Sequence, residues 1–124
     1  MNLHSHMQDV LRTESLPEFS SEEKKLKHRL TNAVLGLADE VLELSGPVKA
    51  HLYYNRPLDV VNLMEELGDI SWYWFLAIDS LGLDPVEVLE RNIAKLRARY
   101  PEKFTEALAN QRDLDKERAV LEGE

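Results

Sequence analysis

Two pairs of acidic residues are the part of this sequence best suited to chemistry. Glu40 and Glu43 form the first pair and Glu66 and Asp69 the second, each with partners three positions apart. Side chains with that separation share one face of an α-helix, so each pair presents two carboxylates together. Both pairs lie among apolar residues, where carboxylates are rare unless a positive charge meets them. If their helices pack antiparallel, four carboxylates converge and need a divalent cation or raised pKa values.

The acidic pairs predict a magnesium or manganese site rather than a zinc or di-iron site. All four predicted ligands are carboxylate oxygens, which favours Mg²⁺ or Mn²⁺ over Zn²⁺. Di-iron helical bundles use a Glu-x-x-His motif, and no histidine follows Glu40 or Glu66 by three residues. The competing interpretation is that each acidic pair forms only the solvated face of a helix.

Composition and charge narrow the class of protein. The chain has 124 residues, of which 44% are apolar, enough for one globular domain with a hydrophobic core. It contains no cysteine, which excludes disulfides and thiolate chemistry. The net charge of −8 disfavours binding to a nucleic acid polymer, although a metal can still attract a small phosphorylated ligand. No apolar run reaches the roughly 20 residues that span a bilayer and no signal pattern is present, so a cytoplasmic protein without membrane contact is expected.

The acidic pairs are expected to be positioned by α-helices. Apolar residues recur every three or four positions through most of the chain, and neither strand-like alternation nor an internal repeat is present. This pattern predicts an all-α bundle of four to five helices in a single domain over residues 1–124. Within it we expect an N-terminal helix or arm (1–19), a core bundle (20–100) and a charged C-terminal tail or helix (101–124).

Local signals place the ends of the helices. Ser20 or Ser21 is expected to begin the long second helix. Asp59 is expected to begin the third helix, and Asp84, followed by a proline at the first helical position, the fourth. Pro47, preceded by glycine, predicts a kink or short break in the second helix soon after the first acidic pair.

The third helix is expected to be the central one. Residues 70–81 are apolar around most of the helix, which is typical of a buried element. We expect Trp72 and Trp74 to point away from the acidic residues, with Trp74 in the core or at a subunit interface. So much apolar surface on a small domain also predicts contact with a second copy of the chain.

Similarity to a known family is carried by the stretches GLADEVLEL, NRPLDVVNLMEELGDISWY and RNIAKLRARYPEKF. They resemble the MazG-like family of all-α nucleoside triphosphate pyrophosphohydrolases. That family is marked by Glu-x-x-Glu followed, after a gap, by Glu-x-x-Asp, as in the two acidic pairs. The resemblance covers roughly residues 30–121. The compact form with a charged tail looks most like versions carried by bacteriophages, which implies the cytoplasm of an infected bacterium as a location.

The resemblance implies a site and a reaction. The four acidic residues would hold one to three Mg²⁺ or Mn²⁺ ions, which bridge a triphosphate and activate a water molecule. The water would attack between the α- and β-phosphates and give a nucleoside monophosphate and pyrophosphate. One glutamate would take the proton from the water; Glu43 is the first candidate, and the sequence does not decide among them.

The resemblance also implies a set of substrate-binding residues. Lys95 and Arg99 lie four positions apart on the predicted fourth helix and would hold phosphate oxygens. The competing interpretation is a solvated basic face near the helix end. Tyr73, one turn after Asp69, would hydrogen-bond a phosphate or a sugar. The full set is Lys49, Tyr73, Asn92, Lys95, Arg99 and Tyr100.

The family resemblance implies a homodimer or homotetramer that acts on a small nucleotide. Base recognition is expected to fall to the first and second helices. The alternative function is a non-catalytic helical module that binds nucleotide or metal, or that only assembles with partners. The two functions differ at the acidic residues, because the enzyme needs all four acids and the basic helix face whereas an assembly module needs neither.

Overall fold

The computed structural model describes all 124 residues and contains six α-helices and no β-strand. The helices are α1 (Leu3–Arg12), α2 (Glu22–Tyr54), α3 (Val60–Ser80), α4 (Pro85–Arg99), α5 (Glu106–Asn110) and α6 (Leu114–Leu121). The predicted all-α fold is therefore confirmed. The count exceeds four to five because the charged C-terminal segment forms two short helices, α5 and α6, instead of one. None of the six is both long enough and apolar enough to cross a membrane.

Polar side chains begin the long helices where the sequence signals indicate. Ser21, and not Ser20, caps α2, because its hydroxyl accepts a hydrogen bond from the backbone N–H of Lys24 at 3.2 Å. Asp59 caps α3 and Asp84 caps α4, as predicted, by accepting backbone N–H groups of the first turn. These hydrogen bonds satisfy donors that a helix start otherwise leaves unpaired. They thereby fix the positions at which α2, α3 and α4 begin.

Helix α2 continues through Pro47 for a total of 33 residues, so a short break there is wrong, whereas a kink stays a prediction. Proline removes one helical hydrogen bond and crowds the preceding turn, at a cost of about 3 kcal/mol in a helix interior. Leu44 and Ala50, one turn before and after it, are both half-buried, and α2 packs along α3. Tertiary contacts on both sides of the proline therefore outweigh its local cost. The helix ends at Tyr54 and is capped by Asn55, which has a left-handed backbone (φ 53°) and donates its N–H to the Ala50 carbonyl.

The chain folds into two compact units, residues 1–83 and 84–124. In the first unit both α1 and α2 pack against α3. In the second unit α4 packs against α6. Both acidic pairs lie in the first unit, and the basic residues predicted on the fourth helix lie in the second. That residues 1–124 act as one domain stays a prediction.

Helices α2 and α3 run antiparallel. Arg29, early in α2, pairs with Asp79 near the end of α3. Gly36, further along α2, adjoins Tyr73, which comes earlier in α3. Contacts thus advance along one helix while they retreat along the other, which is the arrangement expected for helices joined by a short loop. The same arrangement brings the two acidic pairs level with each other.

The core of the first unit is centred on α3. Its buried apolar side chains are Met7, Val10, Ala33, Phe75, Leu76 and Ile78. Three of these come from residues 70–81, so the predicted burial of this stretch is confirmed. Trp74 is half-buried and packs edge-to-face on Phe75, with ring centroids 4.8 Å apart. This contact accounts for the position of Trp74 within a single chain.

A nearly buried ion-pair network fastens the segment after α1 to the two long helices. The Arg29 guanidinium donates hydrogen bonds to Glu14 (Nε to Oε2, 2.9 Å) and to Asp79 (Nη2 to Oδ2, 2.7 Å). The hydrogen bond with Glu14 raises the pKa of Arg29 above its usual value, against the opposing effect of burial, and Asp79 adds to the rise. The network therefore holds the C-terminal end of α1 in place beside α2 and α3.

Candidate metal centre and adjoining cavity

Three glutamates from two helices meet in the first unit. Glu40 and Glu43 come from α2 and Glu66 from α3, and one carboxylate oxygen of each lies within 4.8 Å of those of the other two. Their convergence follows from the three-residue spacing on α2 and the antiparallel packing of α3. Three of the four predicted acidic ligands are thus brought together. Asp69 lies outside this glutamate cluster.

The glutamate cluster lacks a counter-charge. Glu66 is 7% exposed, Glu40 is half-buried and Glu43 is exposed. Oε2 of Glu40 and Oε2 of Glu66 are buried without a hydrogen-bond partner. Burial raises the pKa of Glu66 from 4.5 to about 7, and the neighbouring carboxylates of Glu40, Glu43 and Glu65 add to the rise. Near neutral pH, Glu66 therefore resists ionisation unless a positive group joins the cluster.

The donor set of the glutamate cluster fits a hard divalent cation. All three side chains offer carboxylate oxygens, the ligands that Mg²⁺ and Mn²⁺ prefer in proteins. Buried acceptors without partners are destabilising, and a cation would satisfy those of Glu40 and Glu66. The group that would complete this site is therefore a small ion of positive charge.

A cavity of about 390 Å³ adjoins the glutamate cluster. Its lining comes from the end of α1, from α2 and from α3: Thr13, Glu40, Asp69, Trp72 and Tyr73. The cavity joins Asp69 and Tyr73, two of the predicted site residues, to Glu40 of the glutamate cluster. A volume of this size lies within the range of pockets that hold small organic ligands.

Tyr73 reaches the cavity because Gly36 has no side chain. A Cβ at Gly36 would lie 2.1 Å from Cε1 of Tyr73, far inside van der Waals contact. The Tyr73 ring on α3 therefore lies directly on the backbone of α2, one turn before Glu40. Sequence reasoning did not single out Gly36, because a helical glycine shows its purpose only when the facing residue is known.

Trp72 lines the cavity, so the prediction that it points away from the acidic residues is wrong. It follows Asp69 by three positions and shares its helix face, a signal that the spacing already contained. Its indole Nε1–H donates a hydrogen bond to Oγ1 of Thr13 at 2.8 Å. Sequence reasoning also missed Thr13, because the packing of α1 on α3 depends on contacts distant in the chain.

The second unit holds four of the other predicted substrate-binding residues, namely Asn92, Lys95, Arg99 and Tyr100. Arg99 donates from Nε to Oε1 of Glu117 at 2.6 Å, and its guanidinium lies 5.6 Å from the ring centre of Tyr100. Arg112 binds the same carboxylate, which is 4% exposed. Burial raises the pKa of Glu117, but the hydrogen bonds from Arg112 and Arg99 outweigh it and hold the pKa below the usual value. Phosphate binding by Arg99 therefore competes with an internal ion pair.

The remaining predicted residues carry no internal ion pair. Asn92 is exposed and Lys95 is half-buried on α4. Lys49 is exposed near the C-terminal end of α2. Their side chains are available to a ligand, and their binding roles stay predictions.

The family model that describes the MazG nucleotide pyrophosphohydrolase domain matches residues 24–104. The match covers about two thirds of the chain and includes both acidic pairs and all of α4. The chain belongs to this family. Searches of curated proteins and of solved structures gave no significant match. The helices α1, α5 and α6 lie outside the matched residues, and so does Thr13, which follows α1. Because Thr13 lines the cavity, part of the cavity wall lies outside the MazG match.

Gly36→Ala is expected to destabilise the protein, whereas Gly68→Ala is expected to stabilise it. A Cβ at Gly36 overlaps the Tyr73 ring, and overpacking of this kind costs about 1–3 kcal/mol. A Cβ at Gly68, also inside a helix, meets nothing within 4 Å. Alanine at position 68 is expected to raise the free energy of unfolding by about 0.5–1 kcal/mol, because glycine destabilises a helix interior. Urea unfolding measures both variants, and equal changes in the free energy of unfolding contradict the close approach of Tyr73.

Glu66→Gln is expected to raise the melting temperature of the metal-free protein, and more so at about pH 8 than at about pH 5. The folded protein holds the Glu66 proton up to about pH 7, against 4.5 for the free side chain, so ionisation through this range destabilises the fold. Glutamine stays neutral and avoids that loss. Thermal unfolding in EDTA measures the effect, with Asp39→Asn, an exposed carboxylate outside the glutamate cluster, as the control. The same increase at both pH values contradicts the raised pKa.

Proposed function

We propose that the protein is a metal-dependent hydrolase that converts a (deoxy)nucleoside triphosphate to its monophosphate and pyrophosphate. The observation that carries this proposal is the glutamate cluster, with two buried unpartnered oxygens, inside a MazG domain. Hydrolysis by water of the bond between the α- and β-phosphates gives these two products. A module that only assembles with partners has no use for closely spaced carboxylates that include two buried, unpartnered oxygens, which are costly without a ligand.

The glutamate cluster is proposed to hold Mg²⁺ or Mn²⁺, at one to three ions. The cluster itself accounts for one ion, and Asp69, which lines the cavity with Glu40, is the ligand available to a further one. When bound, the cation would neutralise charge on the phosphate oxygens and favour ionisation of the attacking water. Because Glu66 keeps its proton to about pH 7, binding of the cation would release that proton.

Glu43 is proposed as the group that takes the proton from the attacking water. It belongs to the glutamate cluster and is exposed, so water reaches it, whereas Glu66 is buried. A general base must lie within hydrogen-bond reach of the proton that it removes. Tyr73 is proposed to donate its hydroxyl to a phosphate or a sugar, because its ring lines the same cavity as Glu40 and Asp69.

Phosphate binding is proposed for residues of α4. Lys95 is the first candidate, because no carboxylate pairs with its ammonium group. Arg99 would need to give up part of its pairing with Glu117 to bind a phosphate. The proposed set is completed by Lys49, Asn92 and Tyr100.

A homodimer or homotetramer is proposed from the apolar surface that the single chain leaves exposed. Large apolar side chains on α2 and α3 are more than half exposed, among them Val34, Leu35, Val41, Leu42, Val61 and Met64. Those on α2 recur seven positions apart and form a stripe distinct from the face that packs on α3. A stripe of this kind needs a partner with its own apolar face, and a second copy supplies one.

Leu42→Arg is expected to reduce the mass of the protein in solution to that of one chain. A charge in the exposed apolar stripe would have to be buried at the interface without a partner. Size-exclusion chromatography with light scattering measures the mass, and the wild-type protein is expected to form a dimer or a tetramer. Asn32→Arg introduces the same charge at an exposed polar position of α2 and serves as the control. A monomeric wild-type protein contradicts the proposed assembly.

Glu43→Ala and Asp69→Ala are each expected to reduce the rate of pyrophosphate release by at least about a hundredfold. Each variant removes a carboxylate proposed to bind the cation, which costs more than losing a residue that only orients such a carboxylate. A panel of canonical and modified nucleoside triphosphates with Mg²⁺ or Mn²⁺ provides the substrates. Asp39→Ala is the matched control and should keep wild-type activity. Circular dichroism checks that each variant folds.

Two results would contradict the proposed function. Wild-type protein that releases no pyrophosphate from any nucleoside triphosphate is not this enzyme. Variants that lose their fold together with their activity would show that the acidic residues are structural.

A further inference from the structure

The cavity beside the glutamate cluster is lined by two chemically different kinds of side chain. Glu40 and Asp69 supply carboxylates, and Thr13, Trp72 and Tyr73 supply a hydroxyl and two aromatic rings. No basic side chain lines the cavity, so its aromatic lining has nothing with which to attract a bare phosphate. Aromatic and hydroxyl groups are instead suited to a planar base or a sugar.

The indole of Trp72 is held in a fixed orientation. Its Nε1–H donates to Oγ1 of Thr13 at 2.8 Å, and the Thr13 hydroxyl in turn donates to the carbonyl of Val10 at 2.9 Å. The donor of the hydroxyl and one of its acceptor sites are thus used within the protein. The next residue, Glu14, is bound by Arg29, so the wall at the end of α1 is anchored on both sides of Thr13.

Trp72 and Tyr73 together form an aromatic corner. Their rings meet edge-to-face with centroids 5.0 Å apart. Trp72 is only half-buried, although its polar N–H is already paired inside the protein. What it leaves for a ligand is therefore ring surface, which stacks on any nucleobase.

We infer that Trp72 is the side chain that contacts the nucleoside part of the substrate, and that Thr13 is the positioning residue that orients it. The inference rests on the proposed function for the class of substrate. It places the nucleoside against the aromatic rings of the cavity lining and the phosphates at the carboxylates and their cation. Thr13 lies outside residues 24–104, so this wall is a feature of the chain beyond its MazG match.

Tryptophan fluorescence of two single-tryptophan proteins tests the contact. Trp74→Phe keeps only Trp72, and Trp72→Phe keeps only Trp74, which packs on Phe75 and does not line the cavity. The probes are α,β-methylene nucleoside triphosphates with Mg²⁺, in which the bond proposed to break is replaced, and inorganic triphosphate, which has no nucleoside. Saturable quenching of Trp72 by a nucleotide analogue, with Trp74 unchanged and no response to triphosphate, is the expected result. If no nucleotide analogue changes the fluorescence of Trp72, or if the fluorescence of Trp74 changes equally, the inference is overturned.

Substitution of Thr13 tests its positioning role. Thr13→Val removes the hydroxyl at nearly constant shape and should weaken binding of the analogue by about tenfold, the effect of losing one hydrogen bond. Thr13→Ser keeps the hydroxyl and should restore wild-type affinity. The melting temperature checks that each variant folds. Equal affinity of the valine and serine variants overturns the positioning role.

The fluorescence readout requires no turnover, so it separates this inference from the proposed function. A protein that binds the analogue through Trp72 but releases no pyrophosphate would disprove the hydrolase and keep the nucleoside contact. A protein that releases pyrophosphate but shows no change in Trp72 fluorescence would support the hydrolase and disprove the nucleoside contact. If both fail, the cavity does not serve a nucleotide.

Discussion

The structure of the first unit depends on how negative charge is held at the contact between α2 and α3. Antiparallel packing brings Glu40, Glu43 and Glu66 together, and the core around Leu76 prevents the helices from separating to relieve the repulsion. Two carboxylate oxygens are left buried without partners. A protein can satisfy such a site only with protons or with a cation. The raised pKa of Glu66 corresponds to a site satisfied by a proton. In the proposed function, a cation satisfies the same site.

The two units treat a buried carboxylate in opposite ways. Burial raises the pKa of both Glu66 and Glu117, but for Glu117 the hydrogen bonds from Arg112 and Arg99 reverse the shift. Glu117 is therefore satisfied within the chain and has a structural explanation. Glu66 has only other acids nearby. This contrast is the physical reason for assigning a ligand to the glutamate cluster and for placing Lys95 before Arg99, which already pairs with Glu117, as a phosphate contact.

Local rules gave correct predictions for the helix caps and for the pairing of Glu40 with Glu43, but the local spacing of Trp72 after Asp69 was not used. The spacing of the acidic pairs predicted shared helix faces, and Asp59 and Asp84 were identified as caps because capping is a contact within one turn. Of the two outcomes predicted at Pro47, a kink or a short break, the break is wrong, because packing against α3 outweighs a local cost. Thr13 and the purpose of Gly36 could not be found, since both depend on which residues face them from another helix.

Isothermal titration with Mn²⁺ can show whether the glutamate cluster is a cation site. We expect saturable binding of at least one ion to the wild-type protein. We also expect that Glu66→Gln, which keeps the shape of the side chain and removes its charge, loses this binding while remaining folded. Wild-type protein that binds no Mn²⁺, or a glutamine variant that binds it as tightly as the wild type, would rule out a cation site in the glutamate cluster.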